Sequence, residues 1–600
     1  MALIALVRVA GAGATTVDDL PAGDVYTVGA IRIEGNVGVS ARTIRAAMFT
    51  KVPPWYKLWQ AKHAFNPTFF RTDLERVRTL LRERGYYQAE LAHDLEIDGA
   101  ELTIVLRVEE GPAALVGAVV IEAVDVQLTE ADERALRAEI TFASGDVFEQ
   151  AVYGDSRARL ERFYSERGFA YVQVDKAALV DTRDSTAGVT YTITRGPPAV
   201  FGATEVRGTE RVAERLVRRE ISYRAGDPFD PREIEHTQAS VFGLHLFRSV
   251  TVKPANLAKR SGVVDMAIEV VEGPARSVEL GIGYGLEDEL RGQARWQSYD
   301  FFGGGRQLGF RLKASSLVQA FESEFRQPYF LHPKQSFIVP LTQAREDEPA
   351  FTVARVRLAP RIERKLPGHF KAAFGYNVEY DDLSNVSRST VVRLDEFEAR
   401  GYVSSLTAFL ERNTTLDLLD PRQGSVLTLS MEQAGGPWRG DYSFFRALLE
   451  AKKYVPVPGE RVIAGRFRLG AGDGFGQSRD LPMFRRFFAG GSNSTRGYDR
   501  HLVGPLDEFR SPVGGRSLVE ASIEFRTPIY KKISGVAFID TGEVRLDPFS
   551  YTLGDLQYGI GAGLRYQTLI GPLGIDIGFP LEPPPGEPSW QIHFNIGQAF

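Results

Sequence analysis

The chain has 600 residues, with 72 Lys and Arg against 77 Asp and Glu and a formal net charge of −5, so it lacks the basic footprint of a nucleic-acid or other polyanion binder. With 43% hydrophobic and 25% charged residues it holds enough apolar material for a core and is not a disordered chain. It has no Cys, which excludes disulfide frameworks, thiolate zinc sites and cysteine nucleophiles. Mean hydropathy is −0.18 and no run of about 18 apolar residues occurs, which excludes helical membrane spans; transmembrane β-strands hide from such averages.

Residues 2–14 read like the apolar core and small-residue cleavage region of a secretory signal, with no basic residue ahead of Leu3. The signal is incomplete, a disordered apolar tail is the alternative, and residues 1–25 are set apart from the fold.

Three stretches of one form follow: Val28-Gly29-Ala30-Ile31-Arg32-Ile33-Glu34-Gly35, Val116-Gly117-Ala118-Val119-Val120-Ile121-Glu122 and Phe201-Gly202-Ala203-Thr204-Glu205-Val206-Arg207-Gly208, their glycines 88 and 85 residues apart. That period suits a small domain, not a solenoid unit. Each strand leads into a helix (Ser40 to Met48, Glu130 to Ile140, Val212 to Glu220). A second helix follows, opened by Thr72-Asp73 in the first unit and Asp230-Pro231 in the third. Two strands and a Gly-Pro close each unit, at Gly111-Pro112, Gly196-Pro197 and Gly273-Pro274. The order β-α-α-β-β, with Arg84-Gly85-Tyr86-Tyr87 answered by Arg167-Gly168-Phe169-Ala170, resembles the polypeptide-transport-associated (POTRA) domain, in three copies over 26–112, 113–197 and 198–274. A small mixed sheet leaves an edge that an extended client chain can join by β-augmentation. A receptor for unfolded clients is what the resemblance implies; plain spacers are the bland alternative. Trp55 and Trp59, between the helices of the first unit, are expected in its core.

From Ala275 to Phe600 the sequence reads as strands alone, and about twenty residues per strand with its loop fits a sixteen-stranded transmembrane barrel. Leu556, Tyr558, Ile560, Ala562, Leu564 and Tyr566 alternate with Gln557, Gly559, Gly561, Gly563 and Arg565; in the last segment Trp590, Ile592, Phe594, Ile596 and Phe600 share one face. One face meets lipid and the other the lumen. A soluble sandwich also alternates. No helical layer covers these strands, however, and aromatics (Tyr299, Phe301, Phe302, Tyr329, Phe330) stand near strand ends.

The most specific stretch is Phe487-Phe488-Ala489-Gly490-Gly491-Ser492-Asn493-Ser494-Thr495-Arg496-Gly497-Tyr498, with Val503-Gly504-Pro505. It resembles the conserved loop of the outer-membrane assembly-factor superfamily that contains BamA and TamA, with Thr495 where Val or Ile is usual. Asn413 with Asp420-Pro421-Arg422 and Gly424, Phe538-Ile539-Asp540-Thr541-Gly542, and Gly561 to Tyr566 continuing to Ile570-Gly571-Pro572-Leu573 agree with it. The resemblance implies that the loop arginine, Arg496, turns into the lumen with Gly497 and Tyr498 and pairs with Asp540 or Asp576. The alternation of Leu573, Ile575, Ile577 and Phe579 against Gly574, Asp576 and Gly578 puts Asp576 on the polar face independently.

Three POTRA units without a plug helix point to the TamA branch. That resemblance implies insertion of unfolded outer-membrane clients, without ATP or a catalytic residue, into outer-membrane lipid through a lateral seam. The seam would join the first strand (about Arg276 to Gly285, with Val278, Leu280, Gly281, Ile282 and Gly283) to the last (Phe594, Gly597, Phe600). It also implies a TamB-like, inner-membrane-anchored partner. The alternatives are a BamA-like general assembly protein, a two-partner secretion pore and a plain porin with a structural arm. The Gly-X-Gly runs at 281–285 and 470–474 are followed by no helix, the eight His show no metal spacing, Glu346-Asp347-Glu348 reads as a solvated loop, and no Gly-X-Ser-X-Gly elbow occurs. No enzyme, metal or cofactor is expected.

Overall fold

The structure, a computed structural model, describes residues 16–20, 25–52, 64–255, 262–285, 288–386, 398–417, 419–568, 571–583, 588–596, 598 and 600. Trp55 and Trp59 lie outside these residues.

The first module consists of β1 (Thr27–Glu34), α1 (Ala41–Ala47), α2 (Pro67–Glu83), β2 (Glu90–Asp98) and β3 (Glu101–Glu109). The second consists of β4 (Leu115–Ala123), α3 (Glu130–Glu139), α4 (Gln150–Ser165), β5 (Gln173–Asp181) and β6 (Thr186–Thr194). The third has β7 (Val200–Arg207), α5 (Glu214–Arg219), α6 (Pro231–Phe242), β8 (Phe247–Pro254) and β9 (Val263–Glu272). Each forms a three-stranded sheet in which the last strand lies in the middle, parallel to the first, so the order is β1-β3-β2, β4-β6-β5 and β7-β9-β8. Buried Phe70, Leu74, Val77 and Leu81 of α2 pack on Leu102, Ile104 and Leu106 of β3, joining a helical stripe to one sheet face.

Two expectations fail in the first module. Residues 16–20 are no tail, because Val17 is buried in the core with Leu20 against it, and the Val17 amide donates to the His93 ring at 3.2 Å. Nor does Thr72-Asp73 open the second helix. Asn66 caps it, accepting from the amides of Thr68 and Phe69 at 2.9 and 3.1 Å, with Pro67 at the first helical position, where a missing N–H costs nothing. Asp73 sits a turn and a half inside, fully buried. Its carboxylate takes the amides of Phe49 and Thr50, the latter at 2.9 Å, and the Thr50 hydroxyl at 2.6 Å, thereby holding the segment that leaves α1.

Packing divides the chain into one unit of residues 1–207, 221–240 and 251–269 and another of 208–220, 241–250 and 270–600. The third module's own sheet ends at Glu272 and β10 begins at Arg276, while parts of that module pack with each unit. Within the second unit α5 belongs with the large sheet: Tyr329 donates to Glu220 at 2.7 Å, and Arg219 lies 5.1 Å from the Tyr329 ring centre.

The large sheet runs in chain order through β10 (Arg276–Gly285), β11 (Glu289–Ser298), β12 (Gln307–Ala314), β13 (Val318–Pro328), β14 (Gln335–Glu348), β15 (Phe351–Leu358), β16 (Arg361–Leu366), β17 (Phe370–Ser384) and β18 (Arg400–Asn413). It continues through β19 (Gly424–Ala434), β20 (Phe444–Val457), β21 (Arg461–Gly474), β22 (Ser517–Tyr530), β23 (Ile533–Arg545), β24 (Gln557–Thr568), β25 (Gly571–Pro580) and β26 (Gln591–Ile596). Both β15 and β16 pair with β14 on one side and β17 on the other. They are one strand interrupted at Ala359-Pro360, where Pro has no N–H to give the ladder, so the seventeen segments fill sixteen positions. Outward Leu280, Ile282, Ile523, Ile539 and Leu564 are more than half exposed, an apolar surface of the kind that faces lipid.

Replacing Asp73 by Ala leaves the part-buried amides of Phe49 and Thr50 without acceptors. The expected loss is about 2 kcal/mol, read as a lower urea midpoint of the arm by tryptophan-independent far-UV dichroism and as faster amide exchange at Phe49 and Thr50.

Candidate functional site

The segment between β21 and β22, residues 475–516, enters the lumen. Arg496 ends there with 1% of its surface exposed. Its Nε and Nη2 donate to the two Asp540 oxygens at 2.7 and 2.9 Å, and its backbone amide donates to the same carboxylate at 3.1 Å. Nη1 donates to Glu524 at 2.7 Å and to Asp576 at 3.2 Å, and the guanidinium lies 3.5 Å from the centre of the Phe538 ring. Arg526 forks onto Glu524 at 2.7 and 2.9 Å, and Arg565 Nη2 meets Asp576 at 2.9 Å. Three guanidiniums thus face three carboxylates inside the wall, each charge paired by directed hydrogen bonds as a dry site requires.

Alternation produces this constellation. Glu520, Ser522, Glu524 and Arg526 point inward from β22 while Ile523 and Phe525 point outward; Asp540, Arg565 and Asp576 do the same from β23, β24 and β25. The loop fits against the wall because the inward positions beside it lack side chains. A Cβ on Gly559 would stand 1.9 Å from the Arg496 carbonyl oxygen, and one on Gly578 would stand 2.6 Å from the Gly497 nitrogen. Gly497 itself has φ +102°, a backbone conformation that other residues rarely take. Its amide donates to His593 of β26 at 3.3 Å, and the Tyr498 hydroxyl donates to the carbonyls of Tyr558 and Glu582 at 3.4 and 3.3 Å.

Expected lock residues Arg496, Gly497, Tyr498, Asp540 and Asp576 therefore meet at one place, but Asp576 is held chiefly by Arg565. Glu524, Arg526, Arg565 and His593 belong to the same cluster and were not anticipated. The period-two pattern of β22 carries the signal for Glu524. A second anchor was also missed: Arg485 forks onto Glu379 of β17 at 2.8 and 3.2 Å and reaches Glu432 of β19 at 3.1 Å, and Arg500 forks onto Glu348 of β14. Glu348, read earlier as part of a solvated loop, thus ends strand β14 and receives an arginine. No local pattern says which strand a loop arginine will meet.

The expected seam residues divide differently. Val278, Leu280 and Ile282 point outward from β10 and Phe594 from β26. Gly281 and Gly283 face inward, under the side chains of Gln293 and Arg291, and β10 pairs with β11 along its whole length, so these glycines do not loosen that ladder. Gly597 lies outside the described residues. Phe600 does not continue the outward row of β26. It packs against Tyr454, Val462 and Ala464 beneath Arg466 and Arg526, 5.3 and 5.5 Å from the ring centre. Gln598 donates to the Leu419 carbonyl and to Asp420, so Gln598 and Phe600 both lie inward, where guanidiniums attract the Phe600 ring.

A family model described as the Omp85 superfamily domain matches residues 300–600, and one described as a surface antigen variable number repeat matches 26–111 and 119–196. The outer membrane protein assembly factor BamA of Nitratidesulfovibrio vulgaris is 23% identical, the match covering 99% of this chain and 76% of that protein. BamA of Neisseria meningitidis serogroup B is 22% identical, with 95% and 78% covered. The crystal structure of BamA from Haemophilus ducreyi lacking POTRA domains 1-3 aligns with a TM-score of 0.58 at 18% identity, covering 79% of this chain and 98% of that one; the likeness is one of fold.

Arg496→Ala leaves Asp540 and Glu524 short of a partner in a buried site, and an expected loss of about 3 to 5 kcal/mol is read from the urea midpoint of the folded barrel, with Arg496→Lys in between. Thr495 gives an opposite expectation. Its hydroxyl is buried with no hydrogen-bond partner among the described residues, so Thr495→Val is expected to raise stability by about 1 kcal/mol in the same assay.

Proposed function

The chain belongs to the Omp85 superfamily, and on that premise we propose that it is an outer-membrane protein assembly factor. Its β-α-α-β-β modules stand in the periplasm and receive unfolded outer-membrane clients. The wall passes them into the membrane between β10 and β26, using backbone pairing in place of a catalytic residue. The observation that carries the reading is the state of the last strand. Among the described residues β26 has 6, against 14, 13, 12 and 10 in β22 to β25, and Gln598 and Phe600 beyond it lie on the inner side of the wall. Backbone groups in hydrocarbon must be paired, so a short terminal strand leaves an edge that a client strand can complete.

Within that reading the Arg496 cluster gives the edge a rigid support, since it ties the loop to β22, β23 and β25 and, through His593, to β26. Client strands added at the edge then meet a wall held in one geometry. The three modules in this chain support a TamA-like role, with a TamB-like inner-membrane-anchored protein as partner. The two relatives named above, both BamA, favour the broader reading of general barrel assembly. Both assign the same work to the same edge.

The test is folding of urea-unfolded client barrels into liposomes with and without the full chain. Client folding is expected to accelerate with the wild type and to slow toward the uncatalysed rate with Arg496→Ala and with Gly559→Leu, which blocks the loop without altering charge. Steady conductance without acceleration would instead identify a secretion pore.

A further inference from the structure

One arc of the outer wall departs from the even apolar surface. Between β16 and β19 the outward side chains Ile362, Ala372, Phe374, Ala408, Leu410 and Met431 line a groove of about 320 Å3. Register makes the groove. Ala372 faces Leu410 and Ala408 faces Phe374 across β17 and β18, and Ala408 faces Met431 across β18 and β19. Leu410, Phe374 and Met431 therefore each stand beside an alanine, and Phe374 and Met431, both more than half exposed, rise as walls over a floor of methyl groups.

Two cations lie at one end of this groove, near the ends of β16 (Leu366) and β18 (Asn413). Arg364, which lines it, sits across from Ala372, exposed, with the His332 ring 3.4 Å from its Nη2. Arg412, opposite Phe370, holds its guanidinium 5.8 Å from that ring's centre. Neither has a carboxylate in ion-pair contact among the described residues, whereas the inward arginines Arg326 of β13 and Arg361 of β16 are paired with Glu363 and Glu324. Cations on the lipid side of a barrel are costly at the midplane and are tolerated near an interface, where an anionic headgroup can meet them.

We propose that this groove is a phospholipid site: an acyl chain lies along Ala372 and Ala408, and the phosphate is taken by Arg364 with Arg412 beside it. A small-residue floor admits a chain more closely than the surrounding wall does, and the paired arginines select an anionic headgroup from the periplasmic leaflet. The inference rests on the chain being a membrane barrel and not on its activity toward clients.

The test uses the full chain in liposomes of phosphatidylethanolamine and phosphatidylglycerol carrying a trace of phosphatidylglycerol with a photoactivatable acyl chain, and labelled peptides are mapped by mass spectrometry. Labelling is expected to concentrate on residues 362–374 and 408–431, above the equally exposed outward face of β22 and β23. Ala408→Trp fills the groove and is expected to abolish the excess. Arg364→Gln, which leaves packing intact, is expected to lower the preference for the phosphatidylglycerol probe over a phosphatidylcholine probe by roughly five-fold. Retention of the heat-modifiable gel shift verifies that each variant is folded. Even labelling around the wall, an excess untouched by Arg364→Gln, or displacement of the probe by an unfolded client would each overturn the proposal, the last by making the groove a protein site.

Discussion

A guanidinium taken out of water must find carboxylates, and the interior of this wall is organised around that requirement. Arg496 arrives from a loop, so its partners on β22, β23 and β25 hold the loop as firmly as the loop holds them. Because Arg526 shares Glu524 with Arg496, and Arg565 shares Asp576 with it, loss of Arg496 leaves charge short of a partner in a buried site, where the cost is several kcal/mol. Glycines at 559 and 578 make the approach possible, since any side chain there would occupy the space of the loop backbone. Charge and shape therefore specify a single docked position.

The second anchor gives that position its mechanical meaning. Arg485 ends on β17 and β19, and Arg500 on β14, so the loop spans the lumen and ties arcs of the wall that are distant in sequence. Among the described residues β10 carries no part of this network, and β26 enters it through His593. A wall braced on β14 to β25 and ending in a strand of six described residues is consistent with the proposed opening at the junction of its first and last strands.

Much of the architecture was legible from periodicity. The tandem β-α-α-β-β order, the limits of β10 and the inward placement of Asp576 follow from alternation, because a strand facing lipid on one side and a lumen on the other leaves little freedom in residue type. The same rule applied to β22 would have placed Glu524. What escaped was set by contacts remote in sequence. Arg485 carries no local mark of its partner on β17. Asp73 looked like a helix cap because caps and loop clamps use the same carboxylate chemistry, and only its own burial beneath the amides of Phe49 and Thr50 distinguishes them. Phe600 fits the outward period of its strand yet turns inward, where the ring meets two guanidiniums.

The absence of cysteine makes the central claim directly testable. Single cysteines at Val278, Leu280 or Ile282 of β10, each combined with Phe594→Cys of β26 and bridged by a short bismaleimide, would clamp the two edges while leaving the arm and the loop untouched. Client insertion into liposomes is expected to stop in at least the pair that bridges efficiently and to persist in each single-cysteine control. Full insertion activity in a quantitatively bridged pair would contradict an opening between the first and last strands.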